Sequence, residues 1–249
     1  MDITAVITAH REGLLAAPSI KSFSCAVANA RNTGLTVETL FVLDRPDDVT
    51  RAIFEETSEI AGRIVIGDGG DPASTRNLAV QEANGQYIAF LDGDDLWGSN
   101  WLREAHAFCE DAVKETIAHS EVNFVFGDQR LLWWHVDSEA RTFDPGYLRI
   151  GNYWDALIFA KRDILLKYPY VCNDLKAGYG HEDWHWNCVT LAAGIAHRPV
   201  PGTIHMKRKR LGSQMAKCAE NDVVVRPTEI QNYSWRPAVG QDFDNYTHS

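Results

Sequence analysis

The sequence predicts an α/β fold: a mostly parallel central sheet flanked by helices, followed by a smaller mixed or antiparallel region. Three observations predict it. Apolar segments of strand length alternate with helical segments through the first half of the chain. The most apolar of these segments, residues 87–91, stops abruptly at three carboxylates, Asp92, Asp94 and Asp95. From residue 122 onward the alternation gives way to closely spaced strand-like runs.

Residues 3–8 predict the first strand, followed by the polar turn 10–13 and a helix over 18–32 that Gly34 closes. A second strand, 37–43, ends on Asp44, a helix covers 49–57, and 63–66 is a third strand. Asp71 before Pro72 reads as an N-cap followed by proline at the first helical position, opening a helix that runs to Ala83 before Asn84-Gly85. Residues 87–91 are too short and too rich in aromatic and branched side chains for a helix, and Gly85 and Gly93 bound them as a central strand. Asn100 is placed to cap a helix over 101–119, with Trp101, Leu102, Ala105, Phe108, Ala112 and Val113 at helical spacing.

Beyond it, 122–127, 131–136 and 154–160 predict strands, and 137–146 a polar loop turning at Asp144-Pro145-Gly146. Gly178 and Gly180 make a hinge before a helix over 182–193, which Gly194 stops. Residues 195–200 and 203–206 predict short strands, and 221–249 a polar C-terminal tail or linker. The expectation is one domain over 1–220, with halves at 1–120 and 121–220.

Composition narrows the function. The chain has 249 residues, 45% hydrophobic and 23% charged, which is ordinary globular protein. A net charge of −10 argues against broad binding to nucleic acid or to an anionic membrane surface, with Lys207-Arg208-Lys209-Arg210 as a local exception. The five scattered cysteines form no Cys-x-x-Cys pair, so neither a disulfide framework nor a zinc ribbon is indicated and a reducing cytoplasm fits best. No 18-residue apolar run occurs, so no membrane span is expected.

Two stretches carry chemistry. Asp92, Asp94 and Asp95 fall beyond the carboxyl end of a central strand, where open α/β sheets bind ligands. Three crowded carboxylates repel unless a cation sits among them, and hard oxygen donors suit Mg2+ or Mn2+ shared with substrate phosphates. The second stretch, His181-Glu182-Asp183-Trp184-His185, contains a literal His-Glu-x-x-His, the zinc metallopeptidase pattern. The later histidine of that pattern falls here on Leu191, and no glutamate follows until Glu220. The other reading takes Glu182 and Asp183 as an acidic pair at a helix N-terminus, where the dipole favours carboxylates.

In order and spacing, Ala5-Val6-Ile7-Thr8-Ala9-His10-Arg11-Glu12, Leu43-Asp44, Ala73-Ser74-Thr75-Arg76-Asn77-Leu78, residues 85–97 and Gly180-His181-Glu182-Asp183-Trp184 resemble glycosyltransferase family 2. The resemblance covers residues 3–215 and implies the GT-A fold, a Rossmann-like sheet with a nucleotide-sugar half and an acceptor-side half. It further implies that Asp94, with Asp92, binds Mn2+ or Mg2+, that Asp92-Gly93 faces the donor, and that Asp95 supports them. Thr8, Ala9, His10, Glu12 and Asp44 would form the base pocket, where a carboxylate suits the N3–H of uracil or thymine. The family's common Asp-Asp-Gly-Ser is replaced here by Asp44-Arg45-Pro46-Asp47-Asp48, which leaves the base open. Arg76 would reach the nucleotide. His205 falls where relatives place a third metal ligand, and Lys207, Arg208 and Arg210 where they bind the diphosphate.

Asp183 is the implied general base, with Glu182 next in line, and Trp133 or Trp134 would stack on acceptor sugars. The implied activity is an inverting, metal-dependent transfer of a sugar from a UDP- or dTDP-type donor to a saccharide or lipid-linked saccharide. A role in bacterial surface-polysaccharide synthesis follows, in the cytoplasm or at the inner face of the membrane, within a larger system. The competing classes are a non-catalytic carbohydrate- or nucleotide-binding domain and the metallopeptidase.

Overall fold

A computed structural model describes residues 1–210 and 214–232. Its elements are β1 (Ile3–Ala9), α1 (Ala16–Arg31), β2 (Val37–Asp44), α2 (Asp48–Glu56), β3 (Arg63–Gly67), α3 (Pro72–Glu82), β4 (Tyr87–Asp92), β5 (Leu96–Trp97) and α4 (Trp101–Glu110). They continue as β6 (Thr116–Gly127), β7 (Leu131–Trp134), β8 (Phe159–Lys161), α5 (Arg162–Lys167), β9 (Tyr179–Gly180), α6 (Glu182–Ala192), β10 (Ala196–Lys209), α7 (Gln214–Glu220) and β11 (Val224–Val225).

The main sheet runs β3-β2-β1-β4-β8-β6-β10-β5, with β7 added beside β6. The first four strands are mutually parallel, β8 pairs antiparallel with both β4 and β6, and β6 and β10 are parallel again. This is the expected α/β architecture with a mixed second half. Helices cover both faces, so the central strands are buried at nearly every position and mostly apolar, rather than apolar only at alternate positions. Ile3, Ala5 and Ile7 of β1 join Phe23 of α1 and Trp101 of α4 in one core layer, while Val6 meets Val80 of α3 and Trp186 in the other. Asp71 caps α3 through Oδ1, which accepts from the Ala73 amide at 2.8 Å.

Several boundaries differ from the sequence expectation. The helix expected over 101–119 ends at Glu110, and residues 116–119 open β6. The apolar pattern misleads because Val113 is fully exposed, while Thr116, Ile117, Ala118 and His119 are all buried as a two-sided central strand requires. Asn100 stands at the N-cap, but its side chain donates to the Gly202 carbonyl. Of 154–160 only the end is strand, and α5 follows it without a break. The two short strands expected over 195–206 are one long strand, β10, whose register shifts between Val200 and Ile204. Part of the expected tail is folded: β11 pairs with β9, and Ile230 is buried with Leu148, Trp154 and Cys188. A Cβ on Gly180 would come within 2.5 Å of Val223 Cγ2, so glycine lets the C-terminal segment close onto β9. Residues 211–213 and 233–249 of the expected domain and tail lie outside the described residues.

Candidate active site

The chain passes from β3 to the far side of β1 before forming β4, so strand order reverses at the carboxyl ends of β1 and β4. A crevice opens at such a point. Thr8 closes β1 opposite Asp92, and its hydroxyl donates to Asp92 Oδ1 at 3.1 Å. The Gly93 amide donates to the Thr8 carbonyl at 2.8 Å, and a Cβ there would meet Ala9 Cβ at 2.9 Å. Glycine is what lets the acidic turn fold this tightly against β1.

Each of the three carboxylates has a cationic partner from a different part of the chain. Asp92 Oδ1 lies 3.0 Å from Arg76 Nη2. Asp94 Oδ2 lies 2.5 Å from Arg210 Nε, and the Asp94 carbonyl accepts from Arg208 Nε at 3.1 Å. Asp95 accepts from the Arg208 amide at 2.6 Å and faces Lys207 Nζ at 3.6 Å; that ammonium also lies 3.2 Å from Asp155 Oδ2. Burial opposes ionisation of Asp92, but Arg76 and then Lys207 hold its carboxyl below the usual range. Burial drives Asp95 well above that range against the pull of Lys207. The basic run 207–210 is therefore wired into the site through Lys207, Arg208 and Arg210.

The second acidic motif opens α6. His181 precedes it at φ +61°, in the left-handed region that few non-glycine residues adopt. Glu182 points inward: Oε1 accepts from Arg76 Nη1 at 2.9 Å and Oε2 from Asn173 Nδ2 at 3.0 Å. Asp183 is only partly buried and accepts from the Trp184 amide at 2.8 Å. Burial, reinforced by the Glu182 charge, pushes its carboxyl up to about 7. Glu182 is thus a structural anchor, and Asp183 is a carboxylate poised to hold or release a proton near neutral pH. The peptidase geometry is absent, because His181 lies outside the helix that carries His185 and Glu182 is committed to Arg76.

The base-pocket residues converge at the ends of β1 and β2. His10 Nδ1 donates to the Asp44 carbonyl at 2.5 Å, and the His10 amide donates to Glu12 Oε2 at 2.5 Å. Asp44 Oδ1 accepts from the Gly70 amide at 3.1 Å. Where the sequence departs from the common pattern, Arg45 turns at φ +47° and is held by Asp68 at 2.6 Å.

His205 does not join the acidic turn. It is wholly buried with its ring edge against Trp101, in the field of Asp155, His135 and Lys207, and burial lowers its pKa to about 3. Among the described residues no three His, Cys, Asp or Glu side chains converge to hold an ion, so Asp92, Asp94 and His205 do not form a ligand triad. Mg2+ and Mn2+ nevertheless fit one or two carboxylates completed by substrate phosphate oxygens, which is the donor set that Asp94 and Asp92 offer. Trp134 is 59% exposed, whereas Trp133 packs edge-on against His135. Sequence reasoning missed Asp155, the buried partner of Lys207, because a lone acid ahead of an apolar run carries no signal of its own. It also missed Asn173, which reaches both Asp71 and Glu182 from an irregular segment.

A mostly parallel sheet whose strand order reverses at β1 and β4, an acidic turn held by a basic strand end, and an acidic helix start joined to that turn through Arg76 define a protein of the GT-A fold class. The profile of the family described as Glycosyl transferase family 2 matches residues 4–168, and the chain belongs to that family. Over 74 residues it is 35% identical to the Bacillus subtilis (strain 168) protein TuaG, named for teichuronic acid biosynthesis, a stretch covering 28% of this chain and 29% of that one. Staphylococcus aureus TarS, solved with UDP-GlcNAc, superposes with a TM-score of 0.63 at 16% identity, covering 87% of this chain and 61% of that one. The mannosyltransferase PcManGT from Pyrobaculum calidifontis, solved with GDP-Man and Mn2+, gives 0.58 at 15% identity over 86% and 59%. The chain thus spans less than a third of TuaG and about three fifths of these solved chains. No helix of the described residues is long and apolar enough to cross a membrane.

Proposed function

We propose that this glycosyltransferase moves a sugar from a nucleotide-diphosphate donor to a hydroxyl of a saccharide or lipid-linked saccharide, with inversion and with the aid of Mn2+ or Mg2+. The observation that carries the reading is the division of labour between the two acidic motifs. Asp94, with Asp92, faces the crevice beside Arg208 and Arg210, a charge arrangement suited to a diphosphate. Asp183 stands apart on α6 with its pKa raised by burial and by Glu182 to about 7, the value a general base needs at neutral pH.

The bound cation would be held by Asp94 and Asp92 together with the diphosphate and would neutralise charge developing on the leaving group. Thr8, Ala9, His10, Glu12 and Asp44 receive the nucleoside, and Gly93 lets the donor approach the backbone of the acidic turn. Lys207 and Arg208 fix that turn from β10. Asp183 takes the proton from the acceptor hydroxyl as it attacks the anomeric carbon, on the face opposite the departing nucleotide diphosphate. TuaG supports a surface-polysaccharide role, and a candidate base carried on α6, a separate element from the acidic turn, supports single displacement with inversion. The donor is a uridine or thymidine diphosphate sugar on this reading, because the Asp44 carboxylate accepts from N3–H.

A thermal-shift panel of UDP, dTDP, GDP and their sugars, each with Mn2+ or with EDTA, tests this. Uridine or thymidine diphosphates should raise Tm most, and only with the metal. Equal shifts with EDTA contradict metal bridging, and a preference for GDP contradicts the base assignment.

A further inference from the structure

Arg210 differs from Arg76 and Lys207, the cations that face Asp92 and Asp95 at the acidic turn. Arg76 is buried and anchored by Glu182, and Lys207 is mostly covered, with 19% of its side chain exposed, and anchored by Asp155. Arg210 sits at the open end of β10, about a third exposed, with Nε 2.5 Å from Asp94 Oδ2 and Nη2 3.7 Å from Glu12 Oε1. Both of those carboxylates belong to the mouth of the crevice. Burial, and then the neighbouring Asp94 charge, raise the pKa of Glu12, so the two acids repel and the Arg210 guanidinium between them relieves that repulsion. Asp94, the carboxylate assigned to the metal on the proposed reading, is therefore already neutralised, and by a side chain that keeps about a third of its surface in solvent.

We infer that Arg210 is an exchangeable counter-ion: it holds Asp94 until a divalent cation and a nucleotide diphosphate arrive, then passes to the diphosphate as Asp94 passes to the cation. The inference rests on the reading that Asp94 and the diphosphate share a metal. Its consequence is coupling. The guanidinium competes with a cation arriving alone, whereas a diphosphate draws it away, so each ligand should strengthen the other by the same factor.

The test is a Mn2+ titration of the full chain, read by electron paramagnetic resonance, alone and with saturating UDP, for the native chain, Arg210→Gln and Arg210→Lys. Arg210→Gln should bind Mn2+ alone about fivefold more tightly, the upper end of the scale of one partly exposed charge pair. It should also lose most of the enhancement given by UDP. Arg210→Lys keeps the charge and should stay close to the native chain, and it covers the case in which the glutamine variant fails to fold. Unchanged or weaker Mn2+ binding by Arg210→Gln, or lysine and glutamine variants that behave alike, overturns the inference. Failure of the native chain to bind UDP at all contradicts the donor reading instead, and the Mn2+-alone comparison still judges Arg210.

Discussion

Arg76 Nη1 lies 2.9 Å from Glu182 Oε1 while Nη2 lies 3.0 Å from Asp92 Oδ1, so one buried guanidinium ties the acidic turn after β4 to the first turn of α6. The two acidic motifs are far apart in sequence, and this contact fixes where they stand relative to each other. Asn77, the next residue, clamps the Tyr170 backbone through both ends of its amide, at 2.8 and 2.9 Å. Together they lock α3 under the site.

Arg76→Gln should therefore destabilise the chain strongly. Removing one partner of a buried ion pair leaves the other charge without compensation, which costs about 3–5 kcal/mol. Urea unfolding measures it. The double variant Arg76→Gln with Glu182→Gln should recover part of the loss, because the more deeply buried of the two orphaned carboxylates is gone and Asp92 keeps the Thr8 hydroxyl and the Lys207 charge. A single variant as stable as the native chain would show that the contact is not structural.

Asp183→Asn should stabilise the fold, and more so as pH rises. A carboxyl whose folded pKa is raised to about 7 is harder to ionise in the fold than in the unfolded chain, where it ionises near 3.8. Between those values the unfolded chain gains from ionisation while the folded chain does not, so the native carboxyl lowers stability progressively as pH rises to about 7. The asparagine variant escapes this. Thermal melts of both chains at pH 5 and pH 8 check it, the expected Tm advantage being larger at pH 8. A smaller advantage at pH 8 would contradict the raised pKa.

The alternation of β1 to β4 with α1 to α3 was legible because parallel strands buried on both faces must be apolar throughout and helices must be capped, and both patterns are local. That an acidic turn ends β4 and that Glu182-Asp183 opens α6 was legible for the same reason: each is a short motif at an element boundary. What was not legible depends on long-range pairing. Glu182 and Asp183 look alike as neighbours in sequence, and only the approach of Arg76 and Asn173 ties down the first and leaves the second without an ion-pair partner among the described residues. His205 was expected as a ligand because it falls where relatives place a third one, yet in this chain it is buried against Trp101. Asp155 acquires its place only when β10 brings Lys207 beside it.

The pH dependence of turnover should show an acidic limb near pH 7, where Asp183 loses its proton and becomes able to accept one. The Lys207 charge favours the ionised form of Asp183, so Lys207→Met should move the limb to higher pH. Donor hydrolysis to free sugar and nucleotide diphosphate, followed from pH 5 to pH 9, is a sufficient readout. A limb that stays in place in the variant would separate Lys207 from the base.

The central claim is that Asp183 serves the chemistry and Asp94 the donor. Its most direct measurement pairs calorimetric UDP binding in the presence of Mn2+ with donor turnover for the native chain, Asp183→Asn and Asp94→Asn. Asp183→Asn should bind UDP with little change while turnover falls by on the order of 100-fold or more, the range expected for losing a general base. Asp94→Asn should lose UDP affinity as well as turnover. Near-native turnover by Asp183→Asn, or undiminished UDP binding by Asp94→Asn, would contradict it.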